Sequence, residues 1–333
     1  SREIPFLAQA RHRITETSRF PTELAPETVR VRAVRHTSIS PDSKGIVFNA
    51  LGRLWTQSLP GSRANRLTGS TAFESDPVYS PNGKSIAFVQ WDDERGSTLK
   101  LVSSKGGKAR DLVRSSGAIR EPDFSPDGKH IVYRIDDASS YLGGYREKAG
   151  IYRVSIRDGK STYVAGAGTN PTFSPDGERI LYSYISANDD SLFYSTATRE
   201  SVLESVNLDG FDKREHARGP DVLELKLSPD RRWIAFAYQK QYYVAPYRET
   251  GGGFAVGIRT GATPVAQVTE FGGYSLQWSY DSKSVYWSLG ATIYEADIAG
   301  LFGNGKTSPV GIANIDIEVP ADRPRGSIAL TNA

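Results

Sequence analysis

The chain has 333 residues, of which 41 are basic and 38 acidic, giving a net charge of +3 with both signs mixed along its length. That mild excess lacks the clustered Lys and Arg of a nucleic-acid footprint, and no apolar run is long enough to cross a bilayer, so neither nucleic acid nor a membrane is an expected partner. With no cysteine there are no disulfides or thiolate metal sites, while 32 glycines, 18 prolines and 17 tyrosines suit many turns between half-buried strands.

In chain order, residues 1–33 read as an N-terminal arm, in which Arg11-His12-Arg13 is too short a basic run to make a binding patch. From Val34 onward one phrase returns six times: Ser40-Pro41-Asp42-Ser43, Ser80-Pro81-Asn82-Gly83, Ser125-Pro126-Asp127-Gly128, Ser174-Pro175-Asp176-Gly177, Ser228-Pro229-Asp230-Arg231 and Ser279-Tyr280-Asp281-Ser282. Successive serines lie 40 to 54 residues apart, a period at which one repeat is one four-stranded propeller blade. Proline presets the backbone for the second turn position, and Asp or Asn suits the third, so each phrase predicts a hairpin turn. The second repeat is the cleanest, with strands expected at 74–80, 85–91, 98–103 and 109–113. Further turns at Pro60-Gly61, Lys105-Gly106-Gly107, Asp158-Gly159 and Asp209-Gly210 should join third and fourth strands.

Three insertions interrupt the period, at 136–150, 187–200 and 248–262. Long loops on a rigid scaffold concentrate function, and Tyr141, Tyr145 and Arg146 in the first would suit a contact surface. The sixth repeat offers strands at 275–279, 284–288 and 292–297, then a loop over 300–309. Its fourth strand is expected at 314–319, in preference to 29–34. The propeller thus spans 34–320, and 321–333 reads as a linker and the first strand of a following domain.

The residue before each serine is large and apolar (Ile39, Tyr79, Phe124, Phe173, Leu227, Trp278) and should pack between blades. Two residues earlier stand Thr37, Pro77, Pro122, Pro171, Leu225 and Leu276. A proline there removes a ladder donor, so this strand should be a sheet edge facing the central channel. Four residues before each serine lie His36, Asp76, Glu121, Asn170, Glu224 and Ser275, which project as a polar ring at the channel mouth. Such a ring either satisfies backbone groups and channel water or binds a ligand.

No catalytic residue is recognised. The four histidines, His12, His36, His130 and His216, have no metal-ligand spacing. No Gly-x-Ser-x-Gly elbow or phosphate loop occurs either. One enzymatic alternative uses Asp76, Glu121 and Glu224 as converging carboxylates of a propeller glycosidase.

Phe124-Ser125-Pro126-Asp127-Gly128-Lys129-His130-Ile131-Val132-Tyr133 and Phe173-Ser174-Pro175-Asp176-Gly177-Glu178-Arg179-Ile180-Leu181-Tyr182 resemble the repeat of the TolB-like, or PD40, propellers. The resemblance covers about 34–298 and implies an all-β, six-bladed propeller of four-stranded antiparallel blades. More narrowly, the stretches 36–55, 243–246, 272–279 and 287–290 resemble the propeller that precedes a metal-dependent amidohydrolase domain in some bacterial proteins. The tail at 315–333 resembles the first strand of that family's β-sandwich. The resemblance implies an accessory region, without cofactor of its own, in a soluble periplasmic or secreted protein. Its partner would be a C-terminal amidohydrolase-like domain holding a divalent metal such as zinc, or another protein, with a homo-oligomer left open. Alternatives are a stand-alone propeller that binds a protein or peptide, and the gate of a serine peptidase.

Overall fold

The computed structural model describes residues 26–136, 148–166, 168–186, 200–259, 263–303 and 308–322. After β1 (Thr28–Arg30), blade 1 holds β2 (Arg35–Ile39), β3 (Gly45–Ala50), β4 (Arg53–Ser58) and β5 (Asn65–Arg66). Blade 2 holds β6 (Phe73–Tyr79), β7 (Ser85–Asp92), β8 (Gly96–Ser103) and β9 (Arg110–Ser115). In blade 3 are β10 (Ala118–Phe124), β11 (His130–Asp136), β12 (Gly150–Ser155) and β13 (Ser161–Ala165). Blade 4 contains β14 (Thr169–Phe173), β15 (Arg179–Ser186), β16 (Glu200–Asn207) and β17 (Arg214–Pro220). Blade 5 contains β18 (Val222–Leu227), β19 (Trp233–Tyr238), β20 (Gln241–Pro246) and, after β21 (Phe254–Ala255), β22 (Ala266–Gln267). Blade 6 is built from β23 (Tyr274–Trp278), β24 (Ser284–Leu289), β25 (Thr292–Asp297) and, after the short helix α1 (Ile298–Phe302), β26 (Val310–Asn314). Last comes β27 (Glu318–Pro320).

Each blade is an antiparallel meander whose first strand is an edge, and Pro77, Pro122 and Pro171 lie on those edges. First strands of neighbouring blades pack on one another, as β2 does on β6 and β23, and so form the inner wall. The sequence therefore specifies a six-bladed propeller with four-stranded blades.

Every repeated turn is built in the same way. In blade 3 the Ser125 hydroxyl donates to Asp127 Oδ1 at 2.6 Å, and that oxygen accepts the Lys129 N–H at 3.0 Å. Ser125 Oγ in turn accepts the His130 N–H at 2.9 Å. The same three bonds recur at the other five serines. The phrase is thus a self-contained hydrogen-bonded turn. Its fourth residue is left-handed each time, with φ from 56° at Ser43 to 75° at Gly177.

The core is laminated between blades. Leu99 and Leu112 of blade 2 pack with Ile131 and Val154 of blade 3, and equivalent clusters lie between blades 1 and 2, 3 and 4, 4 and 5, and 5 and 6. Each fully buried Leu, Ile or Phe contributes about 1.5–3 kcal/mol of transfer free energy.

Three details differ from the sequence reading. The fourth strand of blade 6 is Val310–Asn314, earlier than the 314–319 expected, and Ile315–Ile317 leads out of the blade with both isoleucines buried. The loop expected at 300–309 begins inside α1, which Asp297 caps by accepting the Gly300 N–H at 2.7 Å. The 248–262 insertion supplies β21, which pairs in parallel with β17 and gives blade 4 a fifth strand.

By contact, Val31–Ile317 is one compact unit, and Ser1–Arg30 with Glu318–Ala333 another. In the second unit β1 pairs antiparallel with β27, matching Thr28 with Pro320 and Arg30 with Glu318. Among the described residues no helix is long and apolar enough to cross a membrane.

Candidate functional site: the channel mouth

All six ring residues share one backbone conformation. His36, Asp76, Glu121, Asn170, Glu224 and Ser275 have φ between 47° and 59°, the left-handed region that L-residues visit at a cost. At each, the pairing of first and second strands slips, so that two residues oppose one. The residue opposite is always aromatic: Phe48, Phe88, Tyr133, Tyr182, Phe236 or Trp287, none more than 3% exposed. A bulky ring on the second strand therefore fills the space beneath each bulge.

The bulge turns the N–H of the ring residue toward the preceding blade. Glu121 N–H donates to Asp76 Oδ1 at 3.3 Å, and Asn170 N–H donates to Glu121 Oε2 at 2.6 Å. His36 Nδ1 lies 3.2 Å from Asp76 Oδ1, and the Arg134 guanidinium bridges Glu121 at 2.9 Å and Asp136 at 2.7 Å. The structure therefore links His36, Asp76, Glu121 and Asn170 across blades 1 to 4. Burial opposes ionisation of Asp76, yet the His36 hydrogen bond and charge, with Ser75 and Arg120, hold its carboxyl below the usual range.

Glu224 and Ser275 stand outside this chain. Among the described residues Glu224 receives only the Tyr242 hydroxyl, at 3.4 Å. Among the described residues no side chain meets the N–H of His36, Asp76, Glu224 or Ser275. Leu223, Phe271 and Tyr274, on or just before the first strands of blades 5 and 6, are 54%, 76% and 60% exposed.

A second row stands two residues before each serine, at Ser38, Val78, Asp123, Thr172, Lys226 and Gln277, of which Val78 packs on the core between blades 2 and 3. It too caps the neighbouring edge. Tyr79 N–H donates to Ser38 Oγ at 3.2 Å, Ile39 N–H to Gln277 Oε1 at 3.0 Å, and Lys226 Nζ to the Leu276 carbonyl at 2.8 Å. Asp123 is half-buried, and desolvation pushes its carboxyl up to about 7 against the Phe173 and Phe124 N–H groups and the Lys226 charge. At the turn end of the axis Tyr280 replaces the motif proline, and its hydroxyl reaches from blade 6 to the Tyr79 carbonyl of blade 2 at 3.3 Å.

This second row escaped the sequence reading, although Asp123 and Lys226 stand out once the repeats are aligned on their serines. The anticipated contact residues Tyr141, Tyr145 and Arg146 lie outside the described residues. Among those described, no group of three His, Asp or Glu side chains is placed to hold a metal.

Two solved TolB structures share this architecture. A protein described as TolB from Agrobacterium tumefaciens superposes with a TM-score of 0.56 at 20% identity, over 79% of this chain and 90% of that one. TolB from Acinetobacter baumannii gives 0.54 at 16% identity, over 85% of this chain and 66% of its own. This is the propeller fold that TolB adopts. The tricorn protease also carries it, at 0.54 and 13% identity, with 89% of this chain matching 36% of that one. No protein-family model and no curated protein sequence matches the chain. At these identities the likeness speaks for the fold alone.

Proposed function

We propose that this chain is a non-catalytic binding propeller that engages a partner protein through its channel mouth, as the accessory region of a larger, exported, amidohydrolase-like protein. The observation that carries the reading is how the mouth carboxylates are used. Asp76 and Glu121 are spent on backbone N–H groups of the next blade and on His36 and Arg134. A glycosidase would need a pair of working carboxyl groups, and of the three at the mouth Glu224, met by the Tyr242 hydroxyl at 3.4 Å, is left to stand alone. Asp76 is instead held below the ordinary carboxylate range, with burial the main opposing influence. The exposed Leu223, Phe271 and Tyr274 beside the mouth supply apolar contact area of the kind partner surfaces use.

In this reading a divalent metal such as zinc belongs to the following domain, and these residues shape access to it or hold it in place. Photo-crosslinkers at Phe271 and Tyr274 should capture one dominant protein, whereas one at Phe211, on a turn at the opposite end of the blades, should not. Equal capture from both ends would sink the mouth assignment. Peptide mapping of the natural polypeptide tests the amidohydrolase connection separately: sequence past Ala333 with a His-x-His strand supports it, and a natural terminus there rejects it.

A further inference from the structure

We infer that the open part of the mouth, where blade 6 meets blade 1, receives a carboxylate from an acidic, aromatic-bearing segment of the partner protein. This rests on the binding reading above and names the chemistry of what is bound.

At two of its six places the ring shows what a bulge N–H group can take. In blades 3 and 4 the N–H of Glu121 and of Asn170 each meets a carboxylate oxygen from the preceding blade, at 3.3 and 2.6 Å. For His36 the preceding blade offers Ser275, whose one-carbon side chain carries no charge and makes no such bond. The same geometry is therefore repeated with its acceptor left out.

Charge at the seam points the same way. Arg35, next to that N–H, forms no ion pair among the described residues; its guanidinium lies 5.8 Å above the exposed Tyr274 ring. The segment just before Arg35 is tied to blade 6, where Val34 N–H donates to the Gly290 carbonyl at 3.0 Å. The His36 side chain is 39% exposed, with Nδ1 fixed beside Asp76. An uncompensated guanidinium, that of Arg35, beside an unserved N–H complements an anion, and Arg in particular matches the planar fork of a carboxylate.

Apolar surface specifies a polypeptide over a free anion. Phe271 is 76% exposed but not loosely held, because Gln241 Oε1 accepts the Gly272 N–H at 2.9 Å and Gln241 Nε2 donates to the Glu270 carbonyl at 2.9 Å. Tyr274 and Phe271 offer ring faces to an aromatic side chain flanking the acid.

The test uses the full chain and two terminally blocked hexapeptides, Ala-Phe-Asp-Glu-Phe-Ala and its twin Ala-Phe-Asn-Gln-Phe-Ala, titrated by fluorescence anisotropy at low and high salt. The acidic peptide is expected to bind about tenfold tighter or more, the gain of one charge-assisted hydrogen bond pair. Arg35→Ala should erase that preference and Arg114→Ala, on the outer strand of blade 2, should leave it. Equal affinities, a preference that survives Arg35→Ala, or binding of neither peptide would each overturn the inference. Equal affinities together with strong crosslinking from Phe271 and Tyr274 would retire the carboxylate while leaving the mouth as the binding face; loss of both signals would remove the two together.

Discussion

Holding a non-glycine residue in the left-handed region costs roughly 1–2 kcal/mol, and the ring does so six times, so each side chain should have something to do. Glu121 has an evident task, serving Asn170 N–H and Arg134, whereas the Asn170 side chain makes no hydrogen bond among the described residues. Asn170→Gly should therefore leave stability within about 1 kcal/mol of wild type, as backbone relief offsets the added freedom of the unfolded chain. Glu121→Gly should lower it by about 1–3 kcal/mol, since it orphans the Asn170 N–H and leaves the half-buried Arg134 guanidinium with Asp136 alone. Equal effects in chemical denaturation would show that the carboxylate bridge contributes nothing. Asp123 yields a pH prediction. Its unfolded carboxyl titrates near 4, and its folded one at about 7, raised by burial. Between those values the unfolded chain has lost a proton that the native chain keeps, so stability falls as pH rises and levels off above about 7. Asp123→Asn removes this loss, and its melting temperature relative to wild type should climb from pH 4 to pH 8. A flat or falling difference would mean that the carboxylate ionises freely beside Lys226. The polar positions four before each serine were legible in the repeat; their left-handed backbone was not, because neither His, Asp, Glu, Asn nor Ser announces a bulge.

Among the elements, the Ser-Pro-Asp-Gly turn is the one whose sequence and structure correspond most closely, because its hydrogen bonds are all local. In Asp127 the Ser125 hydroxyl and then the Lys129 N–H lower the carboxyl's pKa against slight burial. Ionisation thus favours the turn above about pH 4, and that help is lost as pH falls through the depressed value. Asp127→Ala leaves one hydroxyl and one N–H to water and should cost about 1 kcal/mol near neutral pH, shrinking in acid. An undiminished cost at pH 3 would assign the loss to backbone preference instead of the carboxylate. Where an element depends on distant pairing, the pattern was ambiguous. Residues 310–319 alternate apolar and polar almost throughout, so a strand at 314–319 and the observed Val310–Asn314 satisfy the same period. The two residues of β21 carry no period at all; only their pairing with Ala217 and Arg218 makes them a strand.

On the scale of the whole molecule the repeat fixes blade number, but a ring also needs a seam, and no blade here mixes strands from the two chain ends. Blade 1 is built entirely from residues 35–66 and blade 6 from residues 274–314. Polar bonds help to join them. Gln277 Oε1 accepts the Ile39 N–H at 3.0 Å while its Nε2 donates to Thr37 Oγ1 at 3.1 Å, and Val34 N–H reaches the Gly290 carbonyl at 3.0 Å. Gln277 sits in the row that elsewhere holds Ser38 and Asp123, and it performs the same service of capping the next blade's open edge. Here that edge belongs to the start of the array, so the contact closes the circle instead of extending a stack of neighbours. In a repeat protein stability is the sum of blades and interfaces, and a weakened seam exposes two edges at once. Gln277→Ala should therefore cost about 1–3 kcal/mol for the orphaned Ile39 N–H. It should also raise hydrogen exchange in the first strands of blades 1 and 6 well before those of blades 3 and 4. Uniform exchange across all six blades, with the same loss of stability, would instead mean that the ring opens only by unfolding as a whole.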